Sequence, residues 1–365
     1  MSNLLKILFI IPSVNSGGIE TYLLRFLRFK KGEFNAVILV RGLKTGDLER
    51  DYESLGLPIV SMPLGYFNPL RWLKYYHFFK HNKFDTVCDF NANFSGIPML
   101  IAKLAGIKNR IAFYRQGKNH FKSSFLKRIY NSLMNKLVFK YSSRILANSI
   151  AGLNFFFPNR ADNDSRFKVI YNGVNIIDYQ VNINKVDLKK TFGIPENGFV
   201  IGHTGRLDKA KNHETILKVA KALIENDSSI YLVLCGHDTE KLAPIVEESR
   251  IASNVRLLGY RSDIPALLQM FDVFYFPSIT EGQPNSLLEA MAAGLSVIAS
   301  NIGPIAEVFP DKSMLFDPME IEKVVAKIMQ IKSNGMEFLN SDYTEYVALN
   351  FDSASRFNDF VLELN

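Results

Sequence analysis

Short apolar runs alternate with helical patterns from one end of the chain to the other, and this alternation constrains the fold more than any other feature. In the first half, strand-like runs fall at 4–11, 36–40, 59–62, 86–90, 110–114, 145–148 and 168–171. A second set falls at 199–203, 231–235, 255–258, 273–276 and 296–299. Runs this continuously apolar, separated by helix-length segments, predict parallel sheets covered by helices on both faces. A chain of 365 residues is too long for one ordinary domain and fits two of about 180. Hydrophobic residues at 47% fill two cores, and charged residues at 22% without low-complexity runs exclude a disordered chain. The class expected is α/β, with two doubly wound domains. The boundary is placed in the polar stretch 172–185, with a fresh start at Val186.

In the second half, Glu281 and Glu289 stand eight positions apart around a Gly-Gln-Pro-Asn turn. The first carboxylate is expected on a loop after the run 273–276, and the second in the first turn of a helix. Unpaired N–H groups at a helix start carry partial positive charge and suit an anion. Carboxylates for hydroxyl groups beside a helix start for phosphate match the needs of a nucleotide sugar. A plainer reading covers part of this: Ser286 and Glu289 have capping-box spacing, and each could satisfy a backbone donor. Glu281 lies outside that box.

The segment after the run 199–203 turns through Gly205 and presents Arg206, Lys209 and Lys211, with Asn212 or His213 as the expected cap of the next helix. Guanidinium grips phosphate with a planar fork and ammonium adds a point charge. The alternative is a solvated basic loop. Its place at the carboxyl end of a strand favours a ligand, because open parallel sheets bind ligands there. The two loops are several βα units apart in sequence and could still meet over one sheet edge.

Together these residues resemble the retaining glycosyltransferases of family 4. The motifs are SGGIET at 16–21, TGRLDKAKN at 204–212 and the Glu281/Glu289 pair within EGQPNSLLEAMAAGLSVIAS. Weaker matches are YNGVN at 171–175, LGYRSDIPALLQMFDVFYFPS at 258–278 and NIGPIAEVF at 301–309. The resemblance runs along nearly the whole chain and is closest to bacterial enzymes that build capsule, O-antigen or exopolysaccharide. It implies the GT-B fold: two Rossmann-like domains facing a central cleft, an acceptor-side domain over 1–178, a nucleotide-sugar domain over 186–345, and a C-terminal helix over 346–365 that crosses back. It implies retention of anomeric configuration, no cofactor and no metal. The donor expected is a UDP-linked sugar, the acceptor a glycan or a polyprenyl-diphosphate-linked glycan.

Roles carry over by position. Arg206 and Lys211 would hold the donor diphosphate, Glu289 the ribose hydroxyls and Glu281 hydroxyls of the transferred sugar. Backbone groups from Gly282 through Gln283, Pro284 and Asn285 to Ser286 would meet sugar and phosphate. Gly17 and Gly18 would approach the diphosphate from the first domain, and the base would lie near Tyr260 and Arg261. Read from the residues alone, Gly17-Gly18 is a plain turn that lacks the G-x-G-x-x-G fingerprint. One departure matters: where many relatives read R-I-A-H-S-H, this chain reads Arg110-Ile111-Ala112-Phe113-Tyr114-Arg115, so Arg115 replaces a histidine, and His120 lies too far along to substitute for it. Arg115 either contacts an anionic group or ends a strand and points to solvent.

Between Tyr66 and Arg144 there are 15 Lys or Arg against two acids, in a chain whose net charge is only +7. Aromatic residues are interleaved, including Trp72, Tyr75, Tyr76, Phe78, Phe79, Phe121 and Phe125. Apolar positions recur at Leu126, Ile129, Tyr130, Leu133 and Leu137, with Lys122, Lys127, Arg128, Lys136 and Lys140 around them. This is either an ordinary amphipathic helix with a basic outer face or a face for anionic lipid. No nucleic-acid recognition module is visible. Cys88 and Cys235 read as buried small hydrophobes in a reducing compartment, without zinc-site spacing. The start of the chain reads as a buried strand rather than a signal peptide, and no run reaches the roughly 18 apolar residues that span a bilayer. A cytoplasmic protein peripheral to the inner membrane face is expected. Two other functions stay open: a GT-B epimerase or phosphorylase, and a non-catalytic nucleotide-sugar-binding protein. Intact Glu281 and Glu289 argue against the latter.

Overall fold

The computed structural model describes residues 4–42, 45–65, 67–117, 125–334 and 343–365, apart from the side chain of Leu126. It divides into two compact units: Met1–Asn172 with Ala354–Asn365, and Gly173–Ser353.

Unit 1 is built on seven strands: β1 (Lys6–Ile11), β2 (Asn35–Val40), β3 (Ile59–Ser61), β4 (Thr86–Asp89), β5 (Asn109–Tyr114), β6 (Arg144–Ala147) and β7 (Phe167–Val169). They pair in the order β3-β2-β1-β4-β5-β6-β7, all parallel. Strands β1 and β2 are buried on both faces, which explains why their sequences are apolar without alternation. One face packs Tyr75, Phe79 and Tyr114, and the other packs Phe9, Phe26, Phe90 and Phe113. Phe357, Phe360 and Leu364 complete the second face from the chain's last helix, Ser353–Leu364. Fully burying one such side chain is worth about 1.5–3 kcal/mol. Thr86 Oγ1 donates to the Leu364 carbonyl at 2.8 Å and fixes that helix's end.

Unit 2 holds β8 (Phe199–Thr204), β9 (Ile230–Cys235), β10 (Val255–Leu257), β11 (Val273–Phe276), β12 (Ser296–Ser300) and β13 (Leu315–Phe316), in the order β10-β9-β8-β11-β12-β13. Every run expected from the sequence is a strand. β13, of two residues, was not expected, and so short a run gives no periodic signal. Both sheets are wound in two directions. The reversal falls between β1 and β4 in unit 1 and between β8 and β11 in unit 2, and such switch points open a crevice beyond the strand ends.

The segment expected as one helix over 346–365 is two. Tyr343–Phe351 belongs to unit 2, and the chain breaks at Asp352 before Ser353–Leu364. The cause is a short parallel bridge between Val174 and Asp352. Val174 N–H donates to the Phe351 carbonyl at 2.8 Å, and Ser353 N–H donates to the Val174 carbonyl at 3.2 Å. The two segments run so close that a Cβ on Gly173 would lie 2.3 Å from the Ser353 Cα, so only glycine fits where the chain leaves unit 1.

Candidate functional site

In unit 2, β8 and β11 are neighbours (Val273 beside Ile201, Phe274 beside Gly202), so the loops that follow them meet. The loop after β8 passes Gly205 and Arg206 to a 3-10 turn, Lys209–Lys211, capped by Asp208, whose Oδ1 accepts from Ala210 N–H at 2.8 Å. Asn212 then turns the chain with φ 58° into the helix His213–Asn226. Its side chain does not cap that helix; Nδ2 donates to the Pro277 carbonyl at 3.2 Å, in the loop after β11. Ile279 N–H donates to the Ala210 carbonyl at 2.8 Å. A third tie is ionic: Lys211 Nζ sits 2.7 Å from Glu281 Oε1, both side chains largely buried, with the ammonium 4.8 Å from the Phe276 ring centre. Two residues assigned from the sequence to different parts of a donor thus hold each other.

Arg206 is different. Its side chain is 62% exposed, and its nearest carboxylate, on Asp208, stands 3.8 Å away. It is free to turn toward a ligand.

The loop after β11 runs into the helix Asn285–Ala292, with Pro284 as N-cap and no side-chain cap. This corrects two expectations. Ser286 is the second helical residue, so it cannot cap and the Ser286/Glu289 capping box does not form. Glu289 is the fifth helical residue, just beyond the first turn. Asn285 enters the helix directly after Pro284, one position before Ser286. The carboxylate of Glu289 is half-buried and has no ionic or hydrogen-bonding partner among the described residues. Gln283 and Pro284 are buried, while Gly282, Asn285 and Ser286 are partly exposed.

At the next strand ends, β8, β9 and β10 are followed by Gly205, Gly236 and Leu258-Gly259. Gly205 N–H donates to the Cys235 carbonyl at 2.8 Å, and Gly236 N–H to the Gly259 carbonyl at 2.7 Å. Gly236 adopts φ +150°, and a Cβ there would lie 2.2 Å from the Gly205 carbonyl oxygen, so a side chain would push the loop after β8 off the sheet. Tyr260, well exposed, stacks on His237, ring centres 4.3 Å apart and 17° from parallel. Arg261 is tied to Asp263 by two hydrogen bonds of 2.8 and 2.6 Å. His237 was not singled out from the sequence. Its signal was position alone, the second residue past an apolar strand.

Beneath Gly205 lie two imidazoles. His203 is fully buried, its Nδ1 2.9 Å from the Tyr275 carbonyl. Burial takes its pKa down to about 3, and burial lowers that of His213 as well. Both are neutral at neutral pH, so the positive charge here belongs to Arg206, Lys209 and Lys211.

In unit 1, Gly17 caps the helix Gly18–Phe29 just past β1, with no side-chain cap. Arg115 follows β5. It does not point freely to solvent: Nη2 donates to Asn172 Oδ1 at 2.7 Å and lies 3.4 Å from the Gly18 carbonyl, with the guanidinium 3.7 Å above the Tyr22 ring. Two sequence candidates, Gly18 and Arg115, are thereby brought together. His120, Tyr66, Phe121 and Lys122 lie outside the described residues. Among the described residues no group of three or more His, Cys, Asp or Glu is placed to hold a metal ion.

Comparison with known proteins gives this arrangement a context. The family described as Glycosyl transferases group 1 matches residues 184–347. A capsular polysaccharide biosynthesis glycosyltransferase, CapH of Staphylococcus aureus, is 26% identical over 93% of this chain and 96% of its own. A UDP-Gal:alpha-D-GlcNAc-diphosphoundecaprenol alpha-1,3-galactosyltransferase of Escherichia coli is 38% identical over 38% of this chain and 37% of its own. Among solved structures, Anabaena Alr3699/HepE in complex with UDP superposes with a TM-score of 0.84 at 21% identity, covering 99% of each chain. WaaG, a glycosyltransferase involved in lipopolysaccharide biosynthesis, superposes at 0.74 and 17% identity, over 98% of this chain and 99% of that one. Residues 184–347 thus match the glycosyl transferases group 1 family, the fold is that of the GT-B structures, and the protein is a glycosyltransferase.

Proposed function

We propose that the protein transfers a sugar from a UDP-linked donor to a hydroxyl of a glycan acceptor, free or carried on a polyprenyl diphosphate, in surface polysaccharide assembly, with retention of anomeric configuration. The observation that carries this reading is the joining of the two loops at the β8/β11 switch point, where Lys211 meets Glu281. Departure of the nucleoside diphosphate places negative charge on its outer phosphate. Arg206, Lys211 and the uncapped start of the helix Asn285–Ala292 are set to stabilise that charge as it develops, which is where binding energy accelerates a reaction. The Glu281 carboxylate holds Lys211 in place and offers its remaining lone pairs to sugar hydroxyls. The unpaired Glu289 suits the ribose hydroxyls, and the Tyr260–His237 stack offers an aromatic surface beside the base. The leaving phosphate takes the acceptor's proton. Incubation with UDP-sugars and a lipid-linked glycan, with UDP release followed and the product's anomeric configuration read by NMR, tests the reading. An inverted product, or sugar rearranged without transfer, would refute it.

The same proposal places the protein at an anionic membrane face. None of the described helices is long and apolar enough to cross a membrane. Phe67, Leu70 and Leu73, at the start of helix Pro69–Asn82, and Phe125, Ile129 and Leu133, along helix Phe125–Tyr141, are exposed; the contact of Phe67 with Tyr130, 5.3 Å between ring centres, makes the two groups neighbours. Their setting is the basic stretch counted above, and attraction of such a face to anionic lipid weakens with salt. Vesicle co-sedimentation should show binding to anionic vesicles at low salt that falls at high salt. Equal binding to neutral vesicles, or none to either, would reduce this face to solvated surface.

A further inference from the structure

Two buried imidazoles lie under the basic loop of unit 2, at positions where apolar rings would pack as well. His203, near the end of β8, has aromatic neighbours: Phe274 and Phe276 lie nearly parallel to it, ring centres 6.2 and 5.7 Å away. His213, the first residue of the helix His213–Asn226, meets it edge-on at 5.2 Å. With His203 Nδ1 donating to the Tyr275 carbonyl at 2.9 Å, Nε2 is left as a bare acceptor. That nitrogen and both ring nitrogens of His213 are buried without a hydrogen-bond partner. Such atoms are costly, and phenylalanine at either position would remove the cost. The loop rests on these rings. A Cβ on Gly205 would lie 2.9 Å from His203 Nε2 and 3.4 Å from Lys211 Cδ, so backbone, imidazole and lysine stem share one packed layer. The backbone carbonyls of Gly205 and Asp208 face the His213 ring. Of the charged groups around the pair, the Lys211 ammonium disfavours a proton on either ring, and Asp208 favours one on His213. β11 faces the pair with Phe274, Phe276 and the Tyr275 carbonyl, and on the helix itself Glu214 is exposed and tied to Lys218.

We propose that His203 and His213 are positioning residues: as a neutral pair they are the platform that holds the Arg206–Lys211 loop in its binding place, and a proton on the pair releases the loop and weakens donor binding. The closed loop keeps both rings from water, beside an ammonium, and there burial depresses both pKa values. Opening the loop exposes His213 to water, where an imidazole takes up a proton at its ordinary pKa of 6.5. The closed form is therefore fully favoured above about pH 6.5 and loses ground as pH falls from there toward the depressed values. Arg206 and Lys211 both lie between Gly205 and Asn212, so they leave their places together when the loop lifts. The inference rests on the reading above that this loop holds the donor diphosphate, and it adds two residues that act on the donor only through the loop.

The test uses the full chain and UDP as the probe, in isothermal titration across the pH range from neutral to mildly acidic. Wild type is compared with His213→Phe, which keeps a flat ring and removes the titrating nitrogens. UDP's own titration acts on both proteins alike, so the ratio of the two affinities is read. One pH unit below the ordinary imidazole pKa, the wild type should have lost about tenfold more affinity than the variant, the effect of one group taking up one proton over one unit. Equal losses in the two proteins would overturn the proposal. So would a variant whose only change is a lower Tm with the same pH dependence, since that marks a histidine that merely packs. His213→Gln, also without a titrating group, should match His213→Phe and serves if the larger ring does not fold. A second readout needs no nucleotide. The Ile279 N–H, whose bond to the Ala210 carbonyl crosses between the two loops, should lose protection from hydrogen exchange over the same pH range in the wild type and keep it in the variant. If the wild type bound no UDP at any pH, the functional reading would fail, while the exchange of Ile279 would still decide on the platform.

Discussion

The two units solve the same problem, placing charged groups beyond the carboxyl edge of a parallel sheet, in opposite ways. Unit 2 pairs its cation: Lys211 is held by Glu281, and three ties lock the two loops together. Unit 1 holds its cation without a direct ion pair: Arg115 rests on a neutral amide and an aromatic face, and the Glu20 carboxylate of the first helical turn acts on its charge from a distance. A paired lysine is pre-positioned and loses little freedom when substrate arrives, which favours charge stabilisation in a transition state. The difference also separates their stabilities: unit 1 depends on a distant helix at the chain's end, while unit 2 is closed by its own segments.

That last contrast offers the largest effect. Phe360 is fully buried in unit 1, against Phe26 and Phe113, from a helix that follows the whole of unit 2. Phe360→Ala should cost about 3–5 kcal/mol through the cavity it leaves. Hydrogen exchange should show faster exchange in β1, β4 and β5 and unchanged protection in β8, β9 and β11. Equal loss in both sheets would break the division drawn between them.

Acid should act the other way, on unit 2. The folded pKa of His203 lies near 3, below its unfolded value of 6.5. The unfolded state therefore binds the extra proton first, and the stability due to neutral His203 is complete above pH 6.5 and is lost as pH falls from there toward 3. By pH 5 the loss from this residue is up to about 2 kcal/mol. Exchange in β8 and β11 should accelerate between pH 7 and pH 5, and His203→Asn should flatten that response. A pH response equal in the two sheets would count against the buried imidazole as its cause.

The smallest effect sharpens the division of labour within unit 2. Glu289→Gln should weaken binding of free UDP about tenfold, the order expected for one hydrogen bond to a charged group, while Glu281→Gln should chiefly slow transfer. Weaker UDP binding in the Glu281 variant than in the Glu289 variant would show the two roles reversed.

How much of this was legible in the sequence follows from the range of each interaction. The strands were, because apolar runs bounded by turns are local signals. The loop motifs of unit 2 were, because charge and glycine cluster within a few residues of a strand end. Their direct contact was open: Lys211 and Glu281 are 70 residues apart, and only the β8/β11 adjacency brings them to 2.7 Å. In unit 1, Arg115 stood out only as a departure; its partners Gly18 and Asn172 lie 97 and 57 residues away. The break at Asp352 and the helix start at Asn285 were misread, since each is decided by one residue's contacts, Val174 for the first and Pro284 for the second.

The central claim is that the β8 and β11 loops of unit 2 form the phosphate side of a nucleotide-sugar site. It is tested most directly by the Tm rise that UDP produces in the wild-type chain, in Arg206→Ala and in Lys211→Ala, since a ligand that binds only the folded state raises the melting temperature. The account predicts a clear rise in the wild type that is largely lost in both variants, with turnover reduced about 10²–10³-fold, the range for removing one preorganised charge-stabilising donor. A UDP-induced rise of the same size in all three proteins would contradict it.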